Sequence, residues 1–168
     1  SVHTFRDLET AAYCPRKLYY RRQQAEEPET PPEVRRQRAL AFRYEEILAG
    51  EADLADEPIG VSPTAYRSRL GQAKARLDAW AGLADPDERN ALLSGRKCRG
   101  RAHKVVRTEP TLSLAFAGDP PEQGVWQPQS ARLVAAAKAL AWEEAGPVER
   151  VFAEYPAHGV VREVTMDT

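Results

Sequence analysis

The chain is poor in the residues that build metal and redox centres: two cysteines, three histidines and one methionine among 168 residues. Two thiols are too few for a structural zinc or an iron–sulfur cluster unless histidines or another chain contribute. Cys14 and Cys98 lie far apart and no secretory leader precedes them, so a disulfide is not expected. His3, His103 and His158 stand at no spacing typical of metal ligands. The phosphate-cradling Gly-rich loop, the GxSxG elbow and the CxxC pair are all missing, which excludes the commonest nucleotide-binding, acyl-transfer and dithiol sites. No apolar run approaches the ~18 residues that a membrane-spanning helix needs. The start, Ser1-Val2-His3-Thr4-Phe5-Arg6-Asp7, has no charged-then-apolar leader and reads as cytoplasmic.

What remains is an ordinary globular composition, 42% hydrophobic and 29% charged, with a net charge of −1 from 24 basic and 25 acidic side chains. A chain of this length buries roughly 70% of its unfolded surface as one domain. Of the basic residues 19 are Arg and 5 are Lys. The guanidinium fork suits phosphate and carboxylate, although high-GC coding also enriches Arg and Ala together.

Helices come first along the chain. Thr4 caps a helix with Phe5, Leu8, Ala11 and Ala12 on its apolar side, and Pro15 interrupts it. Residues 23–33 are polar and Pro-rich, a loop. Pro31 and Pro32 open a second helix that Gly50 closes, with Val34, Ala41, Tyr44 and Leu48 on one side. Ser62–Pro63 begins a third, whose stripe Tyr66, Leu70, Ala73, Leu77 and Trp80 is the cleanest period in the chain. Asp85–Pro86 is expected to start a short helix ending at Ser94–Gly95. Strands follow at Cys98–Val106 and Thr111–Ala117, then a Pro/Gly loop over 118–129. The helix from Ser130 is apolar almost all round and belongs against a sheet. Two more strands span Pro147–Tyr155 and Val160–Met166. The order predicts a single α/β domain over residues 1–168: a small mixed sheet flanked by helices, with an inserted helical segment over 51–94.

Chemistry concentrates in residues 95–107, GRKCRGRAHKVVR, which hold Arg96, Lys97, Arg99, Arg101, Lys104 and Arg107 and no acid. On a strand, Lys97, Arg99, Arg101 and His103 fall on one face. Such a stripe tracks phosphates, or equally protects a solvated edge strand from aggregation. A second basic patch, Arg16, Lys17, Arg21 and Arg22, is interleaved with tyrosines, as base stacking and phosphate contact require. Glu45–Glu46 and Glu143–Glu144 are paired carboxylates, a type that usually faces solvent on helices.

The succession FRDLETAAYCPRKLYY, RALAFRYEEIL, GRAHKVV, TLSLAFAG and VERVFAEYPAHGVVREV resembles the CRISPR-associated RecB-like nucleases, the Cas-four family of the PD-(D/E)XK superfamily. The resemblance spans most of the chain outside 51–94. It implies a restriction-endonuclease-like core, Mg²⁺ or Mn²⁺ held by acids on a bent hairpin, a water-positioning Lys, an iron–sulfur cluster and DNA as partner. Residue by residue, the family motifs are altered. Tyr44 stands at the His of the His-Glu pair, with Glu45 after it. His103 replaces the metal-binding Asp of Gly-x-x-Asp in Gly100-Arg101-Ala102-His103. Leu114 and Phe116 occupy the Glu-x-Lys places before Gly118, and no Gln stands near Arg132 and Leu133. Cys14 matches the first cluster cysteine, and Cys98 lies at no cluster position.

These departures remove oxygen ligands that hard cations require. The expectation is therefore a catalytically degenerate relative, with no catalytic residues, no metal and no cofactor. DNA would be held through Arg96, Lys97, Arg99, Arg101, His103 and Lys104, with Arg16, Lys17, Arg21 and Arg22 as a second surface. One alternative is an active metal-dependent DNA exonuclease with relocated ligands Glu45, Asp119 and Glu122. The other is a protein-interaction subunit that docks a protein partner through the Tyr66–Trp80 stripe or Val125–Trp126.

Overall fold

The structure, a computed structural model, describes residues 2–13 and 30–165. Six strands form one mixed sheet. In chain order they are β1 (His3–Thr4), β2 (Glu88–Ser94), β3 (Cys98–Val106), β4 (Thr111–Ala115), β5 (Arg150–Tyr155) and β6 (Val160–Glu163). The path runs β1-β3-β4-β5-β6, and β2 lies along the other edge of β3. The β1–β3 and β4–β5 pairs are parallel and the remaining pairs antiparallel.

Helices α1 (Phe5–Tyr13) and α6 (Gln127–Glu144) cover one face of this sheet. The other face is covered by α2 (Pro32–Phe42), α3 (Tyr44–Ala49), α4 (Pro63–Asp78) and the short α5 (Ala81–Ala84). The expected flanked mixed sheet is thus present. None of the described helices is long and apolar enough to cross a membrane.

Local chemistry explains the helix starts. Thr4 Oγ1 accepts from the Asp7 N–H at 3.0 Å while Asp7 Oδ2 accepts from the Thr4 N–H at 3.1 Å, a reciprocal cap. Ser62 Oγ accepts from the Ala65 N–H at 3.1 Å, with Pro63 pre-set for the first turn. The helix expected from Pro32 to Gly50 breaks at Arg43, which has φ −101° and ψ 22°. That break turns the buried face to Leu40, Ala41, Tyr44 and Ile47 rather than Val34, Ala41, Tyr44 and Leu48.

A helix expected from Asp85 to Gly95 is instead strand β2 over Glu88–Ser94. Ala91 and Leu93 are buried while Asn90, Leu92 and Ser94 are exposed, the period of two that a half-buried strand requires. Short apolar runs leave that ambiguity open, and the long partner β3 decides it. The Tyr66–Trp80 stripe lies inside the molecule: Tyr66, Leu70, Ala73 and Leu77 are buried, and Trp80 packs on Phe152 with ring centroids 4.8 Å apart. It is core, not an exposed docking seam. Trp126 is exposed, but Val125 packs against the α1–α6 core.

Candidate functional site

The site is built where β3 stops alternating. Ala102 and Val105 both enter the core under α1 and α6, although they are three residues apart. His103 and Lys104 between them both turn to the opposite face. Across the ladder on β2, Asn90 has φ 49°, so both strands are distorted at one level. Side chains from five elements meet there: Tyr44 and Glu45 from α3, His103 and Lys104 from β3, Ser113 from β4, Glu154 from β5 and Arg89 from β2.

Lys104 is the centre of the cluster. Its ammonium lies 2.6 Å from Glu45 Oε1 and 2.7 Å from Glu154 Oε1, and both Lys104 and Glu154 are 0% exposed. Glu154 accepts from Tyr44 Oη at 2.5 Å on Oε1 and from Ser113 Oγ on Oε2. Every oxygen of this buried carboxylate is therefore satisfied, as a charge in the interior demands. Arg89 donates to Glu45 Oε1 at 3.0 Å, and the Lys74 ammonium lies 3.9 Å from Oε2. Around two acids stand Lys104, Arg89 and Lys74, so the cluster is close to charge balance without any ion.

The environment moves three groups. Burial, then the Glu154 carboxylate beside it, holds the Tyr44 phenol well above its ordinary value. Burial alone would raise Glu45, but hydrogen bonds and charge from Lys104 and Arg89 outweigh it and lower the carboxyl. Burial pushes His103 down to about 4, against the pull of Glu154. His103 is thus a neutral imidazole at pH 7, and neither of its ring nitrogens has a hydrogen-bond partner. It packs edge-on to Phe42 at 4.6 Å and over Tyr44 at 6.3 Å.

Ligand atoms of Glu45, His103 and Glu154 lie within 4.8 Å of one another. As arranged, these residues do not fit Mg²⁺ or Mn²⁺. Two carboxylates hold such an ion only where water can complete its shell around a position left free between them. The position between the acids already holds the Lys104 ammonium. An iron–sulfur cluster finds no support at Cys98, whose half-buried thiol is pushed up in pKa by burial and donates to the Ala135 carbonyl at 3.5 Å. Cys14 lies outside the described residues.

Of the four degenerate positions, the structure brings together Tyr44 and His103 only. Leu114 and Phe116 point the other way, into the α1–α6 core, because they alternate with Ser113 and Ala115 along β4. Register pairs Leu114 with Ala153 and Ala115 with Glu154, so the site-facing phase is 113/115. The acid that completes the cluster, Glu154, was missed in the sequence, where it sits in VFAEY. The available signal was a lone carboxylate inside an otherwise apolar strand. The relocated ligands Asp119 and Glu122 are elsewhere: Asp119 faces His158 at 3.1 Å, and the Glu122 carbonyl accepts from Arg162 at 3.2 Å.

The cationic stripe divides. His103 and Lys104, expected on the surface, are buried at 7% and 0% exposure. Arg96, Lys97, Arg99 and Arg101 are exposed, and no acid partners them among the described residues. Arg101 donates only to the Asn90 carbonyl, at 3.0 Å. By contrast Arg107 is held by Glu88, Glu143 and Glu144. Arg99 and Arg101 share the sheet face of His103 and lead towards the cluster. Arg16, Lys17, Arg21 and Arg22 lie outside the described residues. No protein-family model, curated protein or solved structure matches the chain.

Proposed function

We propose that this chain is a non-cleaving, nuclease-like protein, a degenerate relative of the RecB-like Cas-four nucleases, that holds DNA by its phosphates. The observation that supports this reading best is the Lys104 ammonium between Glu45 and Glu154, in the place where a catalytic cation would have to sit. A site neutralised by its own side chain has no remaining charge to recruit a metal. The exposed Arg99 and Arg101 on the sheet face of the cluster, with Arg96 and Lys97 in the turn before β3, carry no acidic partner among the described residues and stay available to an anion. Arg99 and Arg101 lie roughly 7 Å apart along the strand, comparable to neighbouring phosphates on one nucleic-acid strand. Contact then comes from guanidinium forks on phosphate oxygens, with counterion release supplying most of the affinity.

Fluorescence anisotropy with labelled single-stranded and duplex DNA over a salt series tests the proposal. Arg99→Ala/Arg101→Ala should lower the log–log salt slope by between about one and two units. Equal binding by the native protein and this variant removes the DNA-binding reading. Incubation with labelled DNA and Mn²⁺ tests the non-cleaving part. Cleavage that disappears in Glu45→Gln would establish the rival reading of an active metal-dependent exonuclease, and no cleavage together with no Mn²⁺-dependent rise in melting temperature removes it.

A further inference from the structure

On the sheet face away from the Lys104 cluster, α1, α6 and the turn between β2 and β3 enclose an open groove of about 860 Å³. Its floor is aliphatic: Leu8 and Ala12 from α1, and Ala131, Val134 and Ala135 from α6. Three cations, Arg96, Lys97 and Lys138, stand along it, and among the described residues no Asp or Glu lines it. Of the acids on these two helices, Glu9 pairs with Arg132, and Glu143 and Glu144 pair with Arg107. Trp142, one turn beyond Lys138 on α6, lies 60% exposed at the lip.

An apolar trough with charge of one sign at its rim selects a ligand with a matching division, an apolar body and an anionic end. The floor also decides what the body is. Ala131 and Ala135 at i,i+4 on α6, with Val134 beside them, make an aliphatic floor for methylenes, and among the described lining residues only Trp142 offers a flat aromatic ring for a base. We infer that this groove binds a single-chain anionic amphiphile, its alkyl chain along Ala131, Val134 and Ala135 and its carboxylate or phosphate head on Arg96, Lys97 and Lys138. The groove shares Arg96 and Lys97 with the DNA-binding proposal, but Lys138 and the aliphatic floor belong to it alone, and Arg99 and Arg101 lie on the other face, so the two proposals fail separately.

The test uses the full chain and a fluorescent long-chain carboxylate, displaced by palmitate, by hexadecyl phosphate and by hexadecanol. Palmitate and hexadecyl phosphate should displace the probe at least tenfold better than hexadecanol. Shortening the carboxylate should weaken it about fourfold per methylene. Lys138→Glu/Arg96→Glu, both at exposed positions, should lose tenfold or more while keeping the melting temperature. Ala131→Trp, which fills the channel, should abolish displacement; a native circular-dichroism spectrum guards against misfolding. Sedimentation with phosphatidylcholine vesicles carrying palmitate separates a membrane-borne head group from a free one, and binding in either arm supports the inference. Hexadecanol binding as tightly as palmitate, no displacement by either, or equal displacement by a short oligodeoxynucleotide overturns it.

Discussion

Lys104 Nζ lies 2.7 Å from Glu154 Oε1 although their strands, β3 and β5, are not neighbours. The two side chains cross above Ser113 on the intervening β4, and that hydroxyl binds the carboxylate from below. Both charges are out of water, so each depends on the other. Removing one leaves an uncompensated buried ion, which typically costs about 3–5 kcal/mol, whereas removing both is often neutral. Lys104→Met should therefore lower the urea-unfolding free energy by that amount, and Lys104→Met/Glu154→Met should recover most of it. A single-variant loss below about 1 kcal/mol would show the pair to be dispensable.

His103 makes the cluster sensitive to acid. Its folded-state value of about 4 lies below the ordinary 6.5 because burial penalises the imidazolium; Glu154 and Glu45 oppose that shift while Lys104 and Arg89 add to it. On acidification the unfolded chain takes up this proton first. The stability from burying neutral His103 is complete above pH 6.5 and declines by about 3 kcal/mol as pH falls towards 4. Glu45 adds to the same trend at lower pH: its folded value is depressed, so its contribution is lost as pH falls through that value. Urea midpoints should drop between pH 6.5 and 4, and His103→Phe should flatten the drop.

The sheet and its helices were largely readable because their signals are local. Pro32, Ser62–Pro63 and Thr4 mark helix starts, and the alternation of Phe152, Glu154 with Val151, Ala153 and Tyr155 gives β5 two faces. The site was only half legible. Tyr44, Glu45 and His103 stand out in the sequence, but Lys104 reads there as one more base of the acid-free run 95–107, and strict alternation, which puts it on the face opposite His103, predicts nothing of the break that brings the two together. Leu114 and Phe116, which the resemblance puts at the Glu-x-Lys places, extend the apolar core as their side chains suggest, one residue out of phase with the site-facing Ser113 and Ala115. Glu154 could not be linked to Lys104 from sequence, since their contact spans a topology in which α6 intervenes between β4 and β5.

Phe5 and Gly100 fix where α1 sits on β3. A Cβ at Gly100 would lie 2.4 Å from Phe5 Cδ2, a distance no side chain tolerates without movement. Gly100→Ala should destabilise by about 1–3 kcal/mol through overpacking, and Phe5→Ala by about 3–5 kcal/mol through the cavity it leaves. The double variant should cost less than the sum, because each change removes the other's problem. Additive losses in denaturant would mean that the ring does not press on this glycine.

The phase of β4 is testable by placing an acid on each of its faces. Leu114 is 2% exposed within the α1–α6 core, so Leu114→Glu buries a carboxylate among Leu133, Leu140 and Ala153 with no partner. It should lose several kcal/mol or fail to fold at neutral pH. Ala115 is half-buried and registers with Glu154, so Ala115→Glu adds a third carboxylate beside the Lys104 cluster. Lys74 is shared with Asp78, so Lys104 and Arg89 balance Glu45 and Glu154, and a third carboxylate leaves one negative charge that a divalent cation can neutralise. Melting curves with and without Mn²⁺ should show a metal-dependent rise for Ala115→Glu and none for the native chain. The reverse pattern, with Leu114→Glu responding to Mn²⁺, would place the site on the opposite face of the sheet.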